Sequence, residues 1–256
     1  MSDGGATAAE LDSALVDRLR ARGPLVVLTG AGVSAESGLA TFRGPGGLWE
    51  GRDPMELATP EAFAADPLLV WRFYAWRRSQ AAAARPNAAH RALARWQVAS
   101  DDFTLITQNV DGLHERAGSS EVLRLHGSLW RVRCTAEGRE IDDLREDLGP
   151  LPPHCECGAL LRPGVVWFGE SLREDTLLSA GQACARAAVM LVIGTSSLVY
   201  PAAGLSHRAL AGGAWVVEIN PEPTPLSPFV HERLGGPAGS IVPRLAAAAG
   251  IATDSL

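Results

Sequence analysis

The chain has 256 residues and a mass of 27.0 kDa, which suits one large domain or one large domain with a smaller insert. Apolar residues make up 46% of the sequence, enough for a well-filled core and too many for a globally disordered chain. The formal net charge of −6 argues against a nucleic-acid partner, since generic binders carry excess positive charge to neutralise phosphates. All 23 basic residues are arginines, so no lysine is present for Schiff-base chemistry.

The N-terminal stretch lacks the features of a targeting segment. It carries Asp3, Glu10 and Asp12 and no long apolar run, which argues against a secretory signal. No apolar stretch approaches the roughly 20 residues that a membrane span needs. We therefore expect a cytoplasmic protein without a membrane partner, whose cysteines serve as metal ligands rather than as disulfides.

Apolar runs and helical segments alternate along much of the chain. Five short apolar runs are predicted to be buried parallel strands, at residues 24–29, 103–107, 122–125, 189–193 and 214–219. Helices are predicted before the first run and over residues 173–187 and 202–211. This alternation predicts an α/β fold on a doubly wound parallel sheet, which is Rossmann-like.

Two segments interrupt this alternation and are predicted to form a smaller inserted domain. Residues 45–96 are interpreted as a helical module, because Thr59-Pro60 and Asp66-Pro67 are typical helix starts. Residues 129–165 contain three cysteines and a charged run, a composition typical of a small zinc-ribbon-like module. The Rossmann-like domain then comprises residues 1–44, 97–128 and 166–256.

The turn after the first predicted strand fits a phosphate-binding pattern. Residues 30–35 follow G-x-G-x-x-A, which lets backbone amides approach a pyrophosphate at a helix start. An ordinary tight turn explains the same residues. A dehydrogenase also needs an acidic residue roughly 20 positions further on, and Glu50 and Asp53 fit that count without ending a second strand. The pattern therefore indicates dinucleotide binding but disfavours a standard dehydrogenase.

Polar side chains follow two other predicted strands. Gln108, Asn109 and Asp111 come after the run 103–107, and His126 follows the run 122–125. The carboxyl edge of a parallel sheet is where folds of this class bind ligands. Simpler roles exist for these residues, because Asn109 and Asp111 suit helix N-caps and His126 suits a hydrogen-bonded strand end.

Six segments resemble the sirtuin family, in the family's order, and span about residues 25 to 240. They are GAGVSAESGLATFRG (30–44), TQNVDGLHERAG (107–118), LHGS (125–128), VVWFGE (165–170), GTSSLVYPAA (194–203) and EINPE (218–222). The resemblance implies NAD-dependent removal of acyl groups from lysine in protein substrates, with nicotinamide and 2′-O-acyl-ADP-ribose as products. We expect the protein to act as a monomer.

The resemblance also implies roles for the matching polar residues. In the family's reaction the acyl oxygen attacks the C1′ carbon as nicotinamide leaves, and a histidine draws a proton through the ribose hydroxyls. His126 matches that base, since neutral imidazole accepts a proton near pH 7. Asn109 and Asp111 match the residues that line the ribose and nicotinamide pocket. His90 and His114 also lie in family-like segments and are interpreted as structural.

Further matches concern the cofactor and the peptide substrate. The residues implied to bind NAD are Gly30, Ala31, Gly32, Ser34, Ala35, Phe42, Arg43, Gln108, Asn109, Asp111, Gly194, Thr195, Ser196, Asn220, Glu222 and Ala238. The segment with Val166, Phe168, Gly169 and Glu170 resembles the one on which substrate peptide lies as an added strand. One more core strand is the alternative interpretation of this segment.

Tyr74 and Arg77 indicate which class of acyl group the protein removes from lysine. They are three positions apart on a predicted helix and share a face, and a guanidinium beside a phenol suits a carboxylate. The pair resembles the Tyr-x-x-Arg of the desuccinylase branch of sirtuins, which implies a preference for succinyl or malonyl lysine over acetyl lysine. The alternative is an amphipathic helix with a core tyrosine and a solvated arginine.

The cysteine pattern departs from the family. Sirtuins typically hold structural zinc with two Cys-x-x-Cys pairs, whereas this chain has Cys134-Thr-Ala-Glu137 and Cys155-Glu-Cys157. Zinc would then take the three thiolates and either Glu137 or His154. Loss of the metal is the alternative. Cys184 lies in an apolar helix and is interpreted as a buried thiol.

Two other functions fit the same scaffold. A mono-ADP-ribosyltransferase would release nicotinamide but leave ADP-ribose on protein. A non-catalytic NAD-sensing module would bind the cofactor without turnover, although His126, Asn109 and Asp111 argue against it.

Overall fold

The computed structural model describes residues 11–41 and 53–252. Phe42 and Arg43, which the family resemblance assigns to the cofactor, lie outside the described residues, as does Glu50. None of the helices in these two ranges is long and apolar enough to cross a membrane.

A six-stranded parallel sheet confirms the predicted Rossmann-like fold. Its strands are β1 (Leu25–Thr29), β2 (Phe103–Thr107), β3 (Val122–Arg124), β7 (Val189–Ile193), β8 (Trp215–Ile219) and β9 (Glu232–Leu234), and their order across the sheet is β3-β2-β1-β7-β8-β9. Every residue of β1 and β7 is buried, because helices cover both faces of the sheet. That burial explains why the central strands are continuous apolar runs.

Helices pack on both faces of this sheet. One face carries α1 (Ser13–Arg20), α4 (Ala88–Val98) and α8 (Ala238–Ala248), and the other carries α6 (Glu174–Arg186) and α7 (Gly204–Ala211). Most of the helix α4 falls within the predicted insert 45–96, yet its Leu93 and Trp96 share a core cluster with α1 and α8. By its packing α4 is therefore part of the larger domain. A sequence pattern identifies the buried face of a helix but not the partner that buries it.

A smaller unit is built from α2 (Pro60–Ala65), α3 (Pro67–Ala83) and an antiparallel sheet in the order β5-β4-β6. The sheet comprises β4 (Gly127–Cys134), β5 (Glu140–Asp142) and β6 (Leu161–Val165). Both helices begin where the sequence predicts. The Thr59 hydroxyl accepts a hydrogen bond from the Ala62 amide at 3.1 Å, and the Asp66 carboxylate accepts one from the Leu69 amide at 2.9 Å.

The helical module and the cysteine module share one core. The Trp71 indole N–H, fully buried on α3, donates to the Leu161 carbonyl of β6 at 2.7 Å. Arg78, one α3 turn before the helix end, donates to the Leu129 carbonyl at 2.8 Å and pairs with Asp143. These contacts connect α3 to the small sheet and so position one wall of the cleft described below.

Candidate active site

A cleft of about 400 Å³ opens between the carboxyl edge of the large sheet and the smaller unit. Sequence-predicted site residues from both domains line it. They are Gly30, Ala31, Gly32, Tyr74, Arg77, Gln108, Asn109, His126, Val166, Phe168, Gly169, Glu170, Gly194, Thr195, Ser196 and Asn220. The fold thus gathers seven separate parts of the chain at one place.

Glycines form the floor of the cleft because two loops cross there. The Gly32 amide donates to the Gly194 carbonyl at 2.7 Å, and a Cβ added to Gly32 would lie 2.7 Å from the Gly194 Cα. Gly194 itself has a φ of +61°, in the left-handed region that favours glycine. The segment Ala31–Ser37 that follows is a 3₁₀ helix, and the αL residue Gly38 ends it.

One ring nitrogen of His126 forms a hydrogen bond to the protein, and the other can accept a proton. Its Nδ1 lies 3.0 Å from the Gln108 carbonyl oxygen, which only accepts, so Nδ1 carries the hydrogen and Nε2 keeps its lone pair. Burial lowers the pKa of His126, and the bond to Gln108 only partly opposes that shift. The imidazole is therefore neutral near pH 7 and has a basic nitrogen.

Ser34, Asn109 and Asp111 form a buried hydrogen-bond network behind the cleft. The Ser34 hydroxyl donates to Asp111 Oδ2 at 2.8 Å and accepts from Asn109 Nδ2 at 3.1 Å. Asp111 Oδ1 accepts from the Leu113 amide at 2.9 Å, beside the short helix α5 (Leu113–Arg116), but the N-cap of that helix is Gly112, so the N-cap interpretation of Asp111 is wrong. Burial raises the pKa of Asp111. Of these three residues only Asn109 lines the cleft.

Two buried histidines lie next to this network. The His90 and His114 rings are 4.8 Å apart, and His114 Nε2 lies 2.9 Å from the Thr29 hydroxyl. Burial lowers the pKa of His90 to about 4 and the pKa of His114 well below its ordinary value. Both rings are therefore uncharged and packed, as a structural role requires.

The loops after β2, β7 and β8 are connected through Thr195. Its hydroxyl accepts from Gln108 Nε2 at 2.9 Å, and its carbonyl accepts from Asn220 Nδ2 at 3.0 Å. Three loops that a bound dinucleotide would contact therefore have a fixed arrangement.

Some sequence-predicted residues do not line the cleft. Ala35 and Glu222 are exposed, Ala238 is buried at the start of α8, and Ser34 and Asp111 lie behind the lining. The sequence analysis does not identify several other lining residues, namely Thr41, Ala58, Phe73, Val110, Leu129, Trp167, Leu172, Val199, Tyr200 and Pro201. Six of them lie inside the quoted family-like segments, so that signal was available: Thr41, Val110, Trp167, Val199, Tyr200 and Pro201.

Tyr74 and Arg77 lie on the wall that α3 contributes. The Tyr74 hydroxyl accepts from the Trp167 indole N–H at 3.0 Å, which leaves its own hydrogen to donate. Burial raises the pKa of Tyr74, so the phenol stays protonated. Arg77 is 7% exposed, which excludes the solvated-arginine alternative, and burial lowers its pKa despite nearby Asp111 and Tyr74.

The segment from Val165 to Glu170 is held from behind by Arg162. This guanidinium lies 3.6 Å from the centre of the Trp167 ring and pairs with both Glu170 carboxylate oxygens, at 2.5 and 2.9 Å. Glu170 Oε2 also accepts from the Trp167 amide at 2.8 Å. These contacts hold the segment in one turn where it lines the cleft.

A cluster of four metal-ligand groups lies in the cysteine module, apart from the cleft. The Sγ atoms of Cys134, Cys155 and Cys157 and a Glu137 carboxylate oxygen all lie within 4.8 Å of one another. The 3.5 Å from Cys134 Sγ to Cys157 Sγ is too long for a disulfide and close to the ~3.8 Å edge of a tetrahedron with Zn–S bonds of about 2.3 Å. The donor set fits zinc.

Glu137, not His154, is the fourth member of that cluster. His154 instead forms a main-chain bridge with Leu160. Zinc bound by this set would link the end of β4 to the turn that holds Cys155 and Cys157. Cys184 is fully buried elsewhere, and burial raises its thiol pKa to about 12.

Comparisons with known proteins agree with this arrangement. The sequence profile of the Sir2 family matches residues 30–201. The NAD-dependent protein deacylase of Aquifex aeolicus is 54% identical over 204 residues, which are 79% of this chain and 85% of that protein.

Two solved structures are similar over nearly the whole chain. A Sir2 homologue mutant in complex with ADP ribose has a TM-score of 0.90 and 47% identity, over 94% of this chain and 97% of that one. A Sir2 homologue in complex with NAD has a TM-score of 0.89 and 46% identity, over 98% of each chain. The fold, the cleft and the sequence together show that the chain belongs to the Sir2 family.

Proposed function

We propose that this protein is an NAD-dependent protein-lysine deacylase that prefers succinyl or malonyl groups to acetyl groups. The observation that carries the proposal is that one cleft is lined by His126, Asn109, the two glycine turns and the Tyr74–Arg77 pair. NAD-dependent protein deacylases at about half sequence identity support the reaction class. Acylated lysine in protein substrates is the partner that this reaction requires.

His126 is the proposed general base. Its Nδ1–H bond to the Gln108 carbonyl fixes the tautomer and leaves Nε2 to take a proton. The lowered pKa keeps the imidazole in its basic form at pH 7. When bound, NAD supplies the glycosidic bond that breaks in the reaction. Asn109 is held by Ser34 at 3.1 Å and is proposed to orient the polar groups that surround that bond.

The acidic acyl preference rests on the charge of the α3 wall. A buried guanidinium loses hydration, which is why the pKa of Arg77 is lowered, and a carboxylate ligand would compensate for that loss. The Tyr74 hydroxyl has its hydrogen left to donate, so the pair offers donors from two directions. Acetyl lysine brings no carboxylate to this wall and so gains no charged hydrogen bond from Arg77.

The test compares succinyl, malonyl and acetyl versions of one lysine peptide. For Arg77→Met we expect kcat/KM on the acidic acyl peptides to fall about 100-fold, the equivalent of one charged hydrogen-bonded pair, while the acetyl peptide changes only a few-fold. Arg72→Met is the matched control, since Arg72 is exposed on the same helix. Equal losses on both substrate classes would contradict the acyl assignment but not the deacylase reaction.

Analysis of the products of the same assay distinguishes deacylation from the two alternative functions. A deacylase leaves free lysine on the peptide and no ADP-ribose on protein. Label from the adenylate part of NAD that stays attached to protein would instead identify a mono-ADP-ribosyltransferase. NAD binding without release of nicotinamide would identify a sensing module.

A further inference from the structure

A second cavity with polar and charged lining lies at the carboxyl end of α3, outside the active-site cleft. It measures about 660 Å³ and is lined by Ala82, Ala83, Arg85, Pro86, Arg91, Arg116 and Ala117. None of these residues lines the cleft described above. We propose that it is a binding site for a small anion with two or more linked phosphates, held by Arg85, Arg91 and Arg116.

The described part of the chain places no carboxylate against these three arginines. Within residues 11–41 and 53–252, none of the three guanidiniums has a carboxylate within 4.0 Å, and no acidic side chain lines the cavity. Three positive charges thus surround one cavity in a chain whose net charge is −6. An incoming anion would pair with them without first displacing an acidic side chain.

Main-chain carbonyls hold two of the three side chains in place. Arg91 Nη1 donates to the Pro86 carbonyl at 2.5 Å, and Arg116 Nη1 donates to the Ala81 carbonyl at 2.8 Å. A carbonyl fixes a guanidinium without cancelling its charge, and it occupies only one of the five N–H donors. Both side chains are therefore ordered before a ligand binds, which reduces the entropy lost on binding.

Another arginine-rich cavity in the described residues differs, because carboxylates pair with most of its arginines. It measures about 520 Å³, but most of the arginines that line it pair with carboxylates. The pairs are Arg124 with Glu115, Arg131 with Asp142, Arg162 with Glu170 and Arg173 with Asp175. An anion there must compete with protein acids, so arginine content alone does not identify a site.

The shape and lining favour compact phosphates over an extended acidic chain. Ala82, Ala83, Ala117 and Pro86 form apolar walls, so the polar contacts come from guanidiniums, whose planar forks match phosphate oxygens. Linked phosphates carry several charges within a few ångströms and can reach more than one arginine. The common chemistry is a diphosphate or triphosphate group, whether inorganic or part of a nucleotide.

The site connects two elements that also support the active site. Arg116 belongs to α5, whose first residue Leu113 donates its amide hydrogen to Asp111, and Arg85 follows α3, which carries Arg77. From Arg77 to Ala83 the helix rises only about 9 Å. A ligand that bridges Arg85 and Arg116 should therefore stabilise the junction of α3 and α5.

The experiment is calorimetric titration with inorganic tripolyphosphate, with the NAD cleft filled by excess ADP-ribose. We expect one site per chain and a Kd that rises about tenfold or more in Arg85→Gln, the loss of one charged contact. Arg85 is exposed and makes no described hydrogen bond, so this variant leaves the fold intact. Arg173→Gln, which removes an arginine paired with Asp175, is the matched control and should bind unchanged.

Several outcomes would overturn the proposal. They are absence of binding by the unmodified protein, binding that Arg85→Gln leaves unchanged, and equal weakening in Arg173→Gln, which would indicate diffuse charge screening. Tighter binding of an acidic peptide than of tripolyphosphate would also overturn it. A parallel titration with guanosine triphosphate distinguishes the two sources of the same chemistry, because a nucleotide site binds it more tightly than tripolyphosphate.

Discussion

The active-site cleft and the cysteine module differ in what holds their functional atoms in place. In the cleft, loops follow fully buried strands and cross at Gly32 and Gly194, so main-chain packing sets the geometry. In the cysteine module, β5 has three residues, and Glu137 and Cys157 are exposed. Its surface ion pairs, such as Arg131 with Asp142, contribute about 0–1 kcal/mol each.

This difference indicates which changes each region tolerates. A cleft fixed by backbone packing keeps its shape when one polar side chain is removed, so such a change affects the chemistry and not the fold. A module with little core of its own depends on its metal ligands. The sequence departs from the family pattern in the second region and matches it in the first.

The largest expected effect is loss of activity in His126→Ala. We expect kcat for lysine deacylation to fall about 100- to 10,000-fold, the usual range for removal of a general base. NAD affinity and the melting temperature should change little, because the His126 side chain makes one described hydrogen bond, to Gln108. Steady-state kinetics with an acylated peptide and NAD calorimetry measure the two quantities.

The matched control for this change is His207→Ala, since His207 is exposed on α7. A His126→Ala protein that keeps most of its activity would contradict the assigned base. A variant that unfolds would contradict the idea that packing alone sets the cleft.

Much of the large domain could be predicted from sequence because buried parallel strands are continuous apolar runs. The strands at 103–107 and 189–193 have the predicted limits, and Thr59 and Asp66 cap helices as expected. The edge strand Glu232–Leu234 was missed, because three polar-rich residues carry no periodic signal.

The candidate site was predictable where it depends on position along a strand or helix. Gln108, Asn109 and His126 follow strands and line the cleft, and the three-residue spacing of Tyr74 and Arg77 puts both on its wall. The choice between Glu137 and His154 was not predictable. It depends on how the turn after Pro153 folds back to Leu160, which ligand spacing does not specify.

Acid should destabilise the large domain through its buried histidines. His90 has a pKa of about 4 in the folded protein, against about 6.5 when unfolded, so below pH 6.5 the unfolded chain binds more protons. Its contribution to stability is intact above pH 6.5 and is lost as the pH falls towards 4. From pH 7 to pH 5 we expect the free energy of unfolding to drop by about 2 kcal/mol from His90.

Denaturant titrations at both pH values measure this drop. The pKa values of His114 and His126 are lowered too and add to this loss, whereas the raised pKa of Asp111 acts in the opposite direction. His90→Gln removes the contribution of His90, so the free energy of unfolding of this variant should fall less between pH 7 and pH 5. An unchanged slope in His90→Gln would show that other groups dominate acid unfolding.

The smallest expected effect is on the affinity for zinc, and it tests the cysteine module. Glu137→Ala removes one of four ligands, and we expect zinc to bind about tenfold more weakly, as measured by competition with a chromophoric chelator. Glu137→Cys restores the soft ligand that zinc prefers and should bind zinc more tightly than the unmodified chain. Glu156→Ala is the matched control, because Glu156 lies between two ligands but outside the cluster.

Replacement of zinc by cobalt provides a second readout that does not depend on catalysis. Charge-transfer absorption from sulfur increases with the number of coordinated thiolates, so Glu137→Cys should absorb more strongly than the unmodified protein and Glu137→Ala should not. Equal zinc affinity in Glu137→Ala and Glu156→Ala would remove Glu137 from the ligand set. Because these groups do not line the cleft, the zinc-loaded variants should keep the deacylase rate of the unmodified chain, and a large loss would show that the two regions are coupled.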